Sequence, residues 1–584
     1  MTKEQDLDLE WKEESIESNT ILNVSPPVLP PEAKLIKNYD LVNVLAKKSF
    51  HSISKYIRTT DDGITGYFFK EGKKGSNRSI LEAISAGFSK LIAPEHTAAT
   101  WAVYNDQYQC IGVLSEEIPN FVPASTSGLK SDDLAPMPLK DIPTFEILYE
   151  QFMELENKRN ALQRKELKID RIKEMIRYYV RMNDVSSTAA QAARNDMAKL
   201  MKDEQENFLA QVEVSEEVES FYKSIAQEYT LTKEQFDSYR VLKGFAIAFV
   251  SAILNQDADF HYNNFTNYGV RFDFDMTLWP ILYDYKEDYS KYLRMPHDDM
   301  FRLSVDDVIH FPNLKNAFPY YWPTSATPNF SDEYLRRWVP EFSFSQNSYP
   351  KEETTHYQNL EYNKVFIWHK YATLLRYLLT TPEMYKAIIL QHLFMNQRTQ
   401  GIMSRFILNQ ETQQAYLRNL LVRIPEFQSF FKKYGSYVMD KHIASLEKEN
   451  KGNMYDLAAV KQQYDNIIRL IDNTTGMDFH DLREQVIARM QGYVRSGRSI
   501  FRNHASLAKG IISYCTLLNP DPLDAEAVDK SISDLYEHLS GAKASVHTSG
   551  EMQKTLNSLI SQLENLMEVS EQRKSKQELC RVAV

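Results

Sequence analysis

Cysteine is scarce in this chain, and its distribution limits the kinds of fold and site to be considered. Cys110, Cys515 and Cys580 are the only three among 584 residues. They lie far apart, and no two form a CxxC pair. This excludes a disulfide scaffold and a cysteine-built zinc site, and it fits a reducing compartment.

Positive charge is also in deficit, with 68 lysines and arginines against 79 aspartates and glutamates and a net charge of −11. General nucleic-acid binding needs a basic footprint, so the charge argues against nucleic acid as a partner. Local basic patches remain compatible with this balance.

Long hydrophobic runs are missing as well. The longest apolar run, FAIAFVSAIL at residues 245–254, is too short to span a bilayer and predicts a buried helix. The N-terminal sequence MTKEQDLDLEWKEES lacks the apolar segment of a cleaved secretory signal. We therefore expect a soluble protein with no transmembrane segment.

The chain does have enough apolar side chains for real cores, since 43% of its residues are hydrophobic and 12% aromatic. Its length predicts two or three domains. From composition we predict four segments: a disordered or loosely ordered arm (1–38), a small lobe (39–122), a helical large lobe with insertions (123–395), and a helical C-terminal domain with a polar tail (396–584).

The small lobe shows a strand, helix, strand, strand order, which predicts an α+β fold. GYFFK at 66–70 is strand-like, and SILEAISAGFSKLI at 79–92 has the apolar spacing of a helix. Ser79 followed by Glu82 matches a capping box at the start of that helix. TAATWAVY (97–104) and QCIGVLSE (109–116) are rich in β-forming residues.

The stretch DADFHYNNFTNYGVRFDFD, residues 257–275, is rich in carboxylate and amide side chains, which surround two short apolar segments. The turn-forming sequence TNYG at 266–269 predicts a short hairpin. Such a hairpin would bring Asn264 and Asp273 side by side. Asp257 is interpreted as a solvated neighbour.

Residues of this type suit phosphoryl transfer from ATP. That chemistry needs a carboxylate for the acceptor hydroxyl, an asparagine and an aspartate for magnesium, a strand lysine for the phosphates and a helix glutamate for the lysine. Asp259, Asn264 and Asp273 occur in that order within the stretch, and Lys70 and Glu82 precede them in the small lobe.

Two interpretations of the same stretch as a metal-binding site, an EF-hand loop and a zinc site, both fail. In an EF-hand alignment Tyr262 falls where glycine is required, and Tyr268 falls where the bidentate glutamate belongs. A zinc site fails because His261 has no histidine or cysteine nearby in the sequence.

DFHYNN has the D-x-H-x-x-N form of the catalytic loop in phosphoinositide kinases and their relatives, and FDFD resembles their metal motif. Together with YFFK, SILEAISAGFSKLI, GVLSEEIPNF and FDFDMTLWPI, these motifs resemble remote kinase-like effectors of Legionella-type intracellular bacteria. The resemblance covers roughly residues 45–125 and 240–330. It implies a two-lobed protein-kinase-like core that uses ATP and Mg²⁺ or Mn²⁺.

Position by position, the resemblance makes Asp259 the catalytic aspartate, Lys70 the ATP-gripping lysine and Glu82 its partner. It makes Asn264 and Asp273 metal ligands, with His261 supporting the loop. Two departures stand out. Asp275 replaces a glycine and is a candidate additional metal ligand. The nucleotide-covering loop would be TTDDGITG, which offers only Gly63 and Gly66.

The resemblance also suggests inositol hexakisphosphate as an activator, type IV secretion into the host cytoplasm, and peripheral binding to host membranes. Residues 158–181 are rich in lysine and arginine, which fits either a solvated helix face or a polyanion site. The polyphosphate candidates are Lys73, Lys74, Arg78, Lys165, Lys168, Arg171 and Lys173. Arg495, Arg498 and Arg502 lie in a basic and aromatic segment with Arg489, and are candidates for an anionic lipid surface.

The first functional hypothesis is therefore an ATP-dependent kinase whose acceptor is a host protein or an inositol lipid. Nucleotidyl transfer from the same site is an alternative, as is a silent pseudokinase scaffold that binds nucleotide or phosphoinositide. The presence of all five core residues disfavours the scaffold. The acceptor does not follow from the sequence, because every such acceptor needs the same core site.

Overall fold

The fold is taken from a computed structural model of the chain. It describes residues 35–45, 53–72, 77–106, 109–124, 142–182, 188–257, 260, 264–275, 277–278, 301–314, 317, 322–323, 357–392, 397–449, 455–472, 474–495, 504–518, 520, 525–546, 552–564 and 566–567. The chain forms two compact units. The first is Met1–Asn409 with Ser445–Tyr455, and the second is Gln410–Ala444 with Asp456–Val584.

The fold is mixed α+β, with a small antiparallel sheet near the N-terminus and a helical C-terminal region. Its five strands are β1 (Asp40–Leu45), β2 (Ile53–Thr60), β3 (Gly63–Glu71), β4 (Thr100–Tyr104) and β5 (Cys110–Glu116). They lie in the order β1-β2-β3-β5-β4. A parallel bridge between Leu35 and Tyr104 places the segment before β1 against β4.

Helix α1 (Asn77–Ile92) connects β3 to β4 and packs its apolar side on the sheet. Ile84, Phe88 and Ile92 are buried, as the helical spacing of the sequence predicts. The predicted capping box is wrong, because the helix already begins at Asn77 and Ser79 lies inside it. Glu82 is therefore not a capping residue.

Two long helices, α2 (Ile142–Met182) and α3 (Thr188–Tyr229), follow the sheet. At 41 and 42 residues each is about 60 Å long. They pack against each other along polar as well as apolar contacts. Asn207 donates to the carbonyl of Leu162 at 3.2 Å, and Lys158 pairs with Glu217 at 3.1 Å.

Helix α4 (Lys233–Leu254) is the central helix of the first unit. It begins with a capping box between Thr232 and Gln235, and its residues from Leu242 to Leu254 are buried. This confirms the prediction of a buried helix at 245–254. Phe249 packs against the rings of Phe260 and Trp322 at centroid distances of 5.3 and 5.7 Å.

A buried polar network ties α4 to its neighbours. Lys243 on α4 donates to both oxygens of Glu146 on α2, at 2.9 and 3.0 Å. Tyr239 donates to Glu146 at 2.5 Å and lies 3.2 Å from His369. Burial opposes ionisation of Glu146, but Lys243 and His369 outweigh it and hold its pKa at about 2.

The remaining helices continue to the C-terminal region. They are α5 (Val305–Ile309), α6 (Lys364–Leu379), α7 (Pro382–His392), α8 (Gln397–Leu421), α9 (Pro425–Glu449), α10 (Leu457–Asp472), α11 (Thr474–Arg495), α12 (His504–Leu517) and α13 (Ala525–Ala544). The second unit has its own core, in which Val486, Ile511 and Leu535 are fully buried. Within the described ranges, no helix combines the length and apolarity needed to cross a bilayer.

Candidate functional site

A short hairpin forms at the predicted turn. The amide of Gly269 donates to the carbonyl of Thr266 at 2.8 Å, and Phe265 bridges Arg271 in antiparallel register. The amide of Phe272 then donates to the carbonyl of Asn264 at 3.0 Å. Asn264 therefore lies opposite Phe272, one residue before Asp273. The predicted hairpin forms, and the side-by-side placement of the Asn264 and Asp273 side chains stays a prediction.

The hairpin is hydrogen-bonded to the segment that follows α1. The amide of Arg271 donates to the carbonyl of His96, and the amide of Ala98 donates to the carbonyl of Arg271, both at 2.9 Å. Because residues 96–98 connect α1 to β4, these bonds fix the hairpin relative to α1. Asp273, which follows the hairpin, is thus held in a fixed position relative to α1, the helix that carries Glu82.

Lys70 is the centre of a cluster of carboxylates. Its ammonium nitrogen lies 3.3 Å from Glu82 Oε1, 2.7 Å from Asp273 Oδ1 and 3.0 Å from Asp275 Oδ2. Lys70 comes from β3, Glu82 from α1, and the two aspartates from the segment after the hairpin. Asp273 is the most accessible of the four, with 41% of its side chain exposed.

Carboxylates outnumber cations in this cluster, and this shifts the proton affinities. Burial disfavours the charged ammonium of Lys70, but Glu82, Asp273 and Asp275 outweigh that effect and raise its pKa. Burial raises the pKa of Glu82 to about 8, with Lys70 opposing the rise and the two aspartates adding to it. The cluster is therefore a site of excess negative charge with a firmly protonated lysine.

The backbone around the cluster adopts unusual conformations. Asp273 has φ of 60°, and Gln256 and Leu278 have φ of 54° and 57°. Positive φ in a residue other than glycine costs free energy and is concentrated at functional sites. In Asp273 the conformation follows directly on the last hydrogen bond of the hairpin, and the Asp273 side chain contacts Lys70.

A buried ion pair supports the hairpin from behind. Arg271 and Asp257 lie 2.5 Å apart, with 1% and 2% of their side chains exposed. Arg271 also donates to Ser251 on α4 at 3.1 Å and to Ser89 on α1 at 3.3 Å. The interpretation of Asp257 as a solvated neighbour is wrong, because the hairpin, α1 and α4 bury it with Arg271.

Arg271 is the residue that the sequence reasoning missed. The available signal was an arginine between the apolar residues of GVRF, fourteen positions after an aspartate that follows the apolar run at 245–254. An isolated cation in an apolar strand requires a buried counter-ion.

The donor set fits a divalent cation only in part. Asp273 and Asp275 offer two carboxylates, and Asn264, opposite Phe272 in the hairpin, is the predicted amide ligand. Among the described residues, no group of three or more histidine, cysteine, aspartate or glutamate side chains is arranged to hold a metal. Two carboxylates suit Mg²⁺ when phosphate oxygens supply the remaining ligands.

Several predicted site residues lie outside the described residues. They are Asp259, His261, Lys73, Lys74, Arg498 and Arg502, together with the side chains of Arg78 and Arg495. Their predicted roles stay predictions. Arg489 is described, and donates to Ser558 at 3.4 Å.

The two glycines of the predicted nucleotide-covering loop are not near the lysine cluster. Gly63 begins β3, where a side chain would collide with the backbone of Arg164 on α2. Gly66 lies four residues before Lys70 on the same strand, about 13 Å away, opposite Ile57. These positions do not support the predicted phosphate contacts.

Three of the four polyphosphate candidates on α2 contact other parts of the protein. Lys168 donates to the carbonyls of Thr60 and Asp61 at 2.8 and 3.2 Å. Arg171 pairs with Asp40 at 3.3 Å, and Lys173 pairs with Glu204. Lys165 is exposed. This favours the structural interpretation of the helix over the polyanion site.

Comparison with protein-family models and with curated proteins gives no match for this chain. The site is therefore interpreted from its own geometry.

Proposed function

We propose that this protein is an ATP- and divalent-cation-dependent phosphotransferase with a protein-kinase-like core. The observation that carries the proposal is the contact of Lys70 with both Glu82 and Asp273. In protein kinases the phosphate-gripping lysine lies on the third strand, a helix glutamate holds it, and an aspartate from the large lobe binds magnesium. Here the lysine, glutamate and aspartate come from β3, the helix after β3, and a hairpin about two hundred residues later.

The residues divide the chemistry between them. Lys70 would bind phosphate oxygens of the nucleotide, and Glu82 would keep its ammonium in place. Asp273 and Asp275 would hold the divalent cation with Asn264, and the cation would neutralise charge on the phosphates. Asp259 would orient or deprotonate the acceptor hydroxyl.

The protein's own contacts imply a competition at Lys70. The ammonium is bonded to Asp273 and Asp275, the same carboxylates that would take the cation. A nucleotide carrying its cation would give each group a new partner, phosphate for the lysine and metal for the aspartates. We therefore expect cation and nucleotide to bind more tightly together than either does alone.

A labelled-nucleotide assay tests the proposal and separates it from the alternatives. The full chain is incubated with γ-labelled or α-labelled ATP, with Mg²⁺ or Mn²⁺, and with or without inositol hexakisphosphate. The acceptors are host lysate protein and phosphoinositide vesicles. Transfer of the γ-label alone supports the kinase, transfer of the α-label supports nucleotidyl transfer, and binding without transfer supports the scaffold.

Variants connect the outcome to the cluster. Lys70→Met and Asp273→Asn are expected to lower transfer by about a hundredfold or more, since each removes a charged group at the phosphates. Lys158→Met, which breaks a surface lysine–glutamate pair on α2, is the matched control and should retain activity. Equal activity in all three variants would rule the proposal out. The effector role, the activator and the membrane association are proposed on the sequence resemblance alone.

A further inference from the structure

The first unit contains a cavity that the proposed phosphotransfer site does not use. Its volume is about 420 Å³, within the range of small-molecule sites. None of Lys70, Glu82, Asp273 and Asp275 lines it. The wall includes Lys90 in the last turn of α1, about 12 Å along the helix from Glu82. The cavity is therefore a separate candidate binding site, distinct from the proposed phosphotransfer site.

The charged side chains that line the cavity favour a ligand of negative charge. Arg58 on β2 and Lys90 on α1 both line the cavity, and none of the described residues in its lining is an aspartate or glutamate. Glu116 faces Tyr67 across the strands but is not part of the lining. Within the described lining, a bound anion would meet two cationic side chains, while the carboxylate of Glu116 lies outside that lining.

The uncharged side chains of the lining favour an aromatic ligand. Three aromatic side chains form a continuous edge-to-face series, with Tyr39 and Tyr67 at 5.1 Å and Tyr67 and Trp101 at 5.6 Å between ring centroids. Arg58 lies over the Tyr39 ring at 5.7 Å. Aliphatic side chains, among them Ile388, complete the wall. Such walls suit a flat aromatic ring, which forms edge-to-face contacts with them.

We propose that this cavity binds a small aromatic anion, a ring system carrying one carboxylate or sulfonate group. The ring would lie among Tyr39, Tyr67 and Trp101. Its acidic group would be held by Arg58, whose planar guanidinium fits a carboxylate, and by Lys90. Two cations match one acidic group, whereas a polyphosphate would bring far more charge than this mostly apolar lining compensates.

The test uses 1-anilinonaphthalene-8-sulfonate as the probe and the full chain as the protein. Fluorescence titration and calorimetry give the affinity and the number of sites. The neutral analogue N-phenyl-1-naphthylamine has the same rings without the sulfonate. We expect the sulfonate to bind about tenfold more tightly than the neutral analogue at one site per chain.

Two variants locate that site. Ala99→Phe fills the cavity and should remove one site, whereas Ala161→Phe, at an exposed alanine of α2, should remove none. Arg58→Gln combined with Lys90→Gln should weaken the sulfonate about tenfold or more while leaving the neutral analogue unchanged. Lys165→Gln is the charge control. If Ala99→Phe lowers the melting temperature, its loss of a site does not count. The variant Arg58→Gln with Lys90→Gln then tests the proposal by itself.

Three results would overturn the proposal. An unchanged site number in Ala99→Phe would exclude this cavity, and equal binding of both probes would exclude an anionic ligand. Displacement of the sulfonate by inositol hexakisphosphate that depends on Arg58 and Lys90 would assign the cavity to a polyanion instead. We expect no such displacement.

Discussion

At the scale of single residues, two buried charge clusters determine how the candidate site is built. Arg271 with Asp257 is a matched pair, and Lys70 is shared among three carboxylates. The matched pair holds the hairpin in place. The unmatched cluster retains negative charge, and under the proposed function it is the one that would hold the divalent cation of a nucleotide.

Removing Arg271 should destabilise the first unit strongly. Arg271→Met leaves Asp257 buried without its counter-ion, which costs roughly 3–5 kcal/mol of unfolding free energy. The double variant Arg271→Met with Asp257→Leu should lose less than the single variant, by about 1 kcal/mol or more. Urea unfolding is measured for Arg271→Met, for Asp257→Leu and for the double variant. A double variant whose loss equals the sum of the single losses would show that the two side chains do not interact.

The pKa of Glu82 predicts how stability changes with pH. Its carboxyl has a pKa of about 8 in the folded protein, above the ordinary value of 4.5. The folded state therefore binds a proton that the unfolded state has released, and this contribution to stability falls as pH rises from about 4.5 to about 8. Glu82→Gln, which resembles the neutral acid, should gain stability relative to the wild type over that interval.

The measurement is the melting temperature of both proteins at pH 5, 6, 7 and 8. Glu217→Gln, at a surface glutamate paired with Lys158, is the control and should follow the wild type. A difference between Glu82→Gln and the wild type that stays constant with pH would contradict the proposed protonation.

At the scale of secondary-structure elements, the sequence predicts helices and strands well and their ends less well. The strand at 66–70 and the helix at 79–92 both exist, each longer than predicted. Periodicity identifies an element because it reports one buried face. The start of α1 was missed because Ser79 and Glu82 match a capping box, while Glu82 in fact contacts Lys70 on the neighbouring strand β3.

A close crossing of two elements should make one glycine irreplaceable. Gly244 on α4 faces the hairpin turn, and a methyl group there would overlap the carbonyl of Tyr268. Gly244→Ala should cost at least about 2 kcal/mol, since backbone must move to relieve the overlap. Thermal unfolding of the variant measures the loss.

Gly510, in the helix α12, supplies the matched control. Among the described residues, no atom beyond its own helix backbone and chain neighbours lies within 4 Å of a Cβ built at that glycine. Gly510→Ala should therefore stabilise its helix by roughly 0.5–1 kcal/mol, because alanine loses less entropy on folding. A gain in stability from both alanines would mean that the α4 crossing is looser than described.

At the scale of the whole molecule, the chain has two units with separate apolar cores. The predicted C-terminal domain, residues 396–584, contains the whole second unit. It also contains residues 397–409 and 445–455, which belong to the first. Composition changes little along these helices, so it gives no sign that the chain returns to the first unit.

Separate cores predict separate responses to core damage. Leu535 is fully buried in the second unit, and Leu535→Ala should cost that unit roughly 2–5 kcal/mol. Hydrogen exchange should then rise in peptides from α11 to α13 and stay unchanged in α4. Leu517→Ala, at a side chain 83% exposed in the same unit, should change neither. Equal loss of protection in both units would show that they unfold together.

The sequence by itself determined the local features of this protein: the α+β lobe, the buried helix at 245–254, the turn at 266–269, and the residue types of the proposed phosphotransfer site. Those features depend on periodicity, turn chemistry and side-chain type, which neighbouring residues reveal. The tertiary structure alone decided that Lys70 contacts Asp275 as well as Glu82 and Asp273, that Arg271 buries Asp257, and that α2 uses its basic residues for internal contacts. Those outcomes depend on which charges the folded chain brings together out of water, and residues from twelve to about two hundred positions apart determine them.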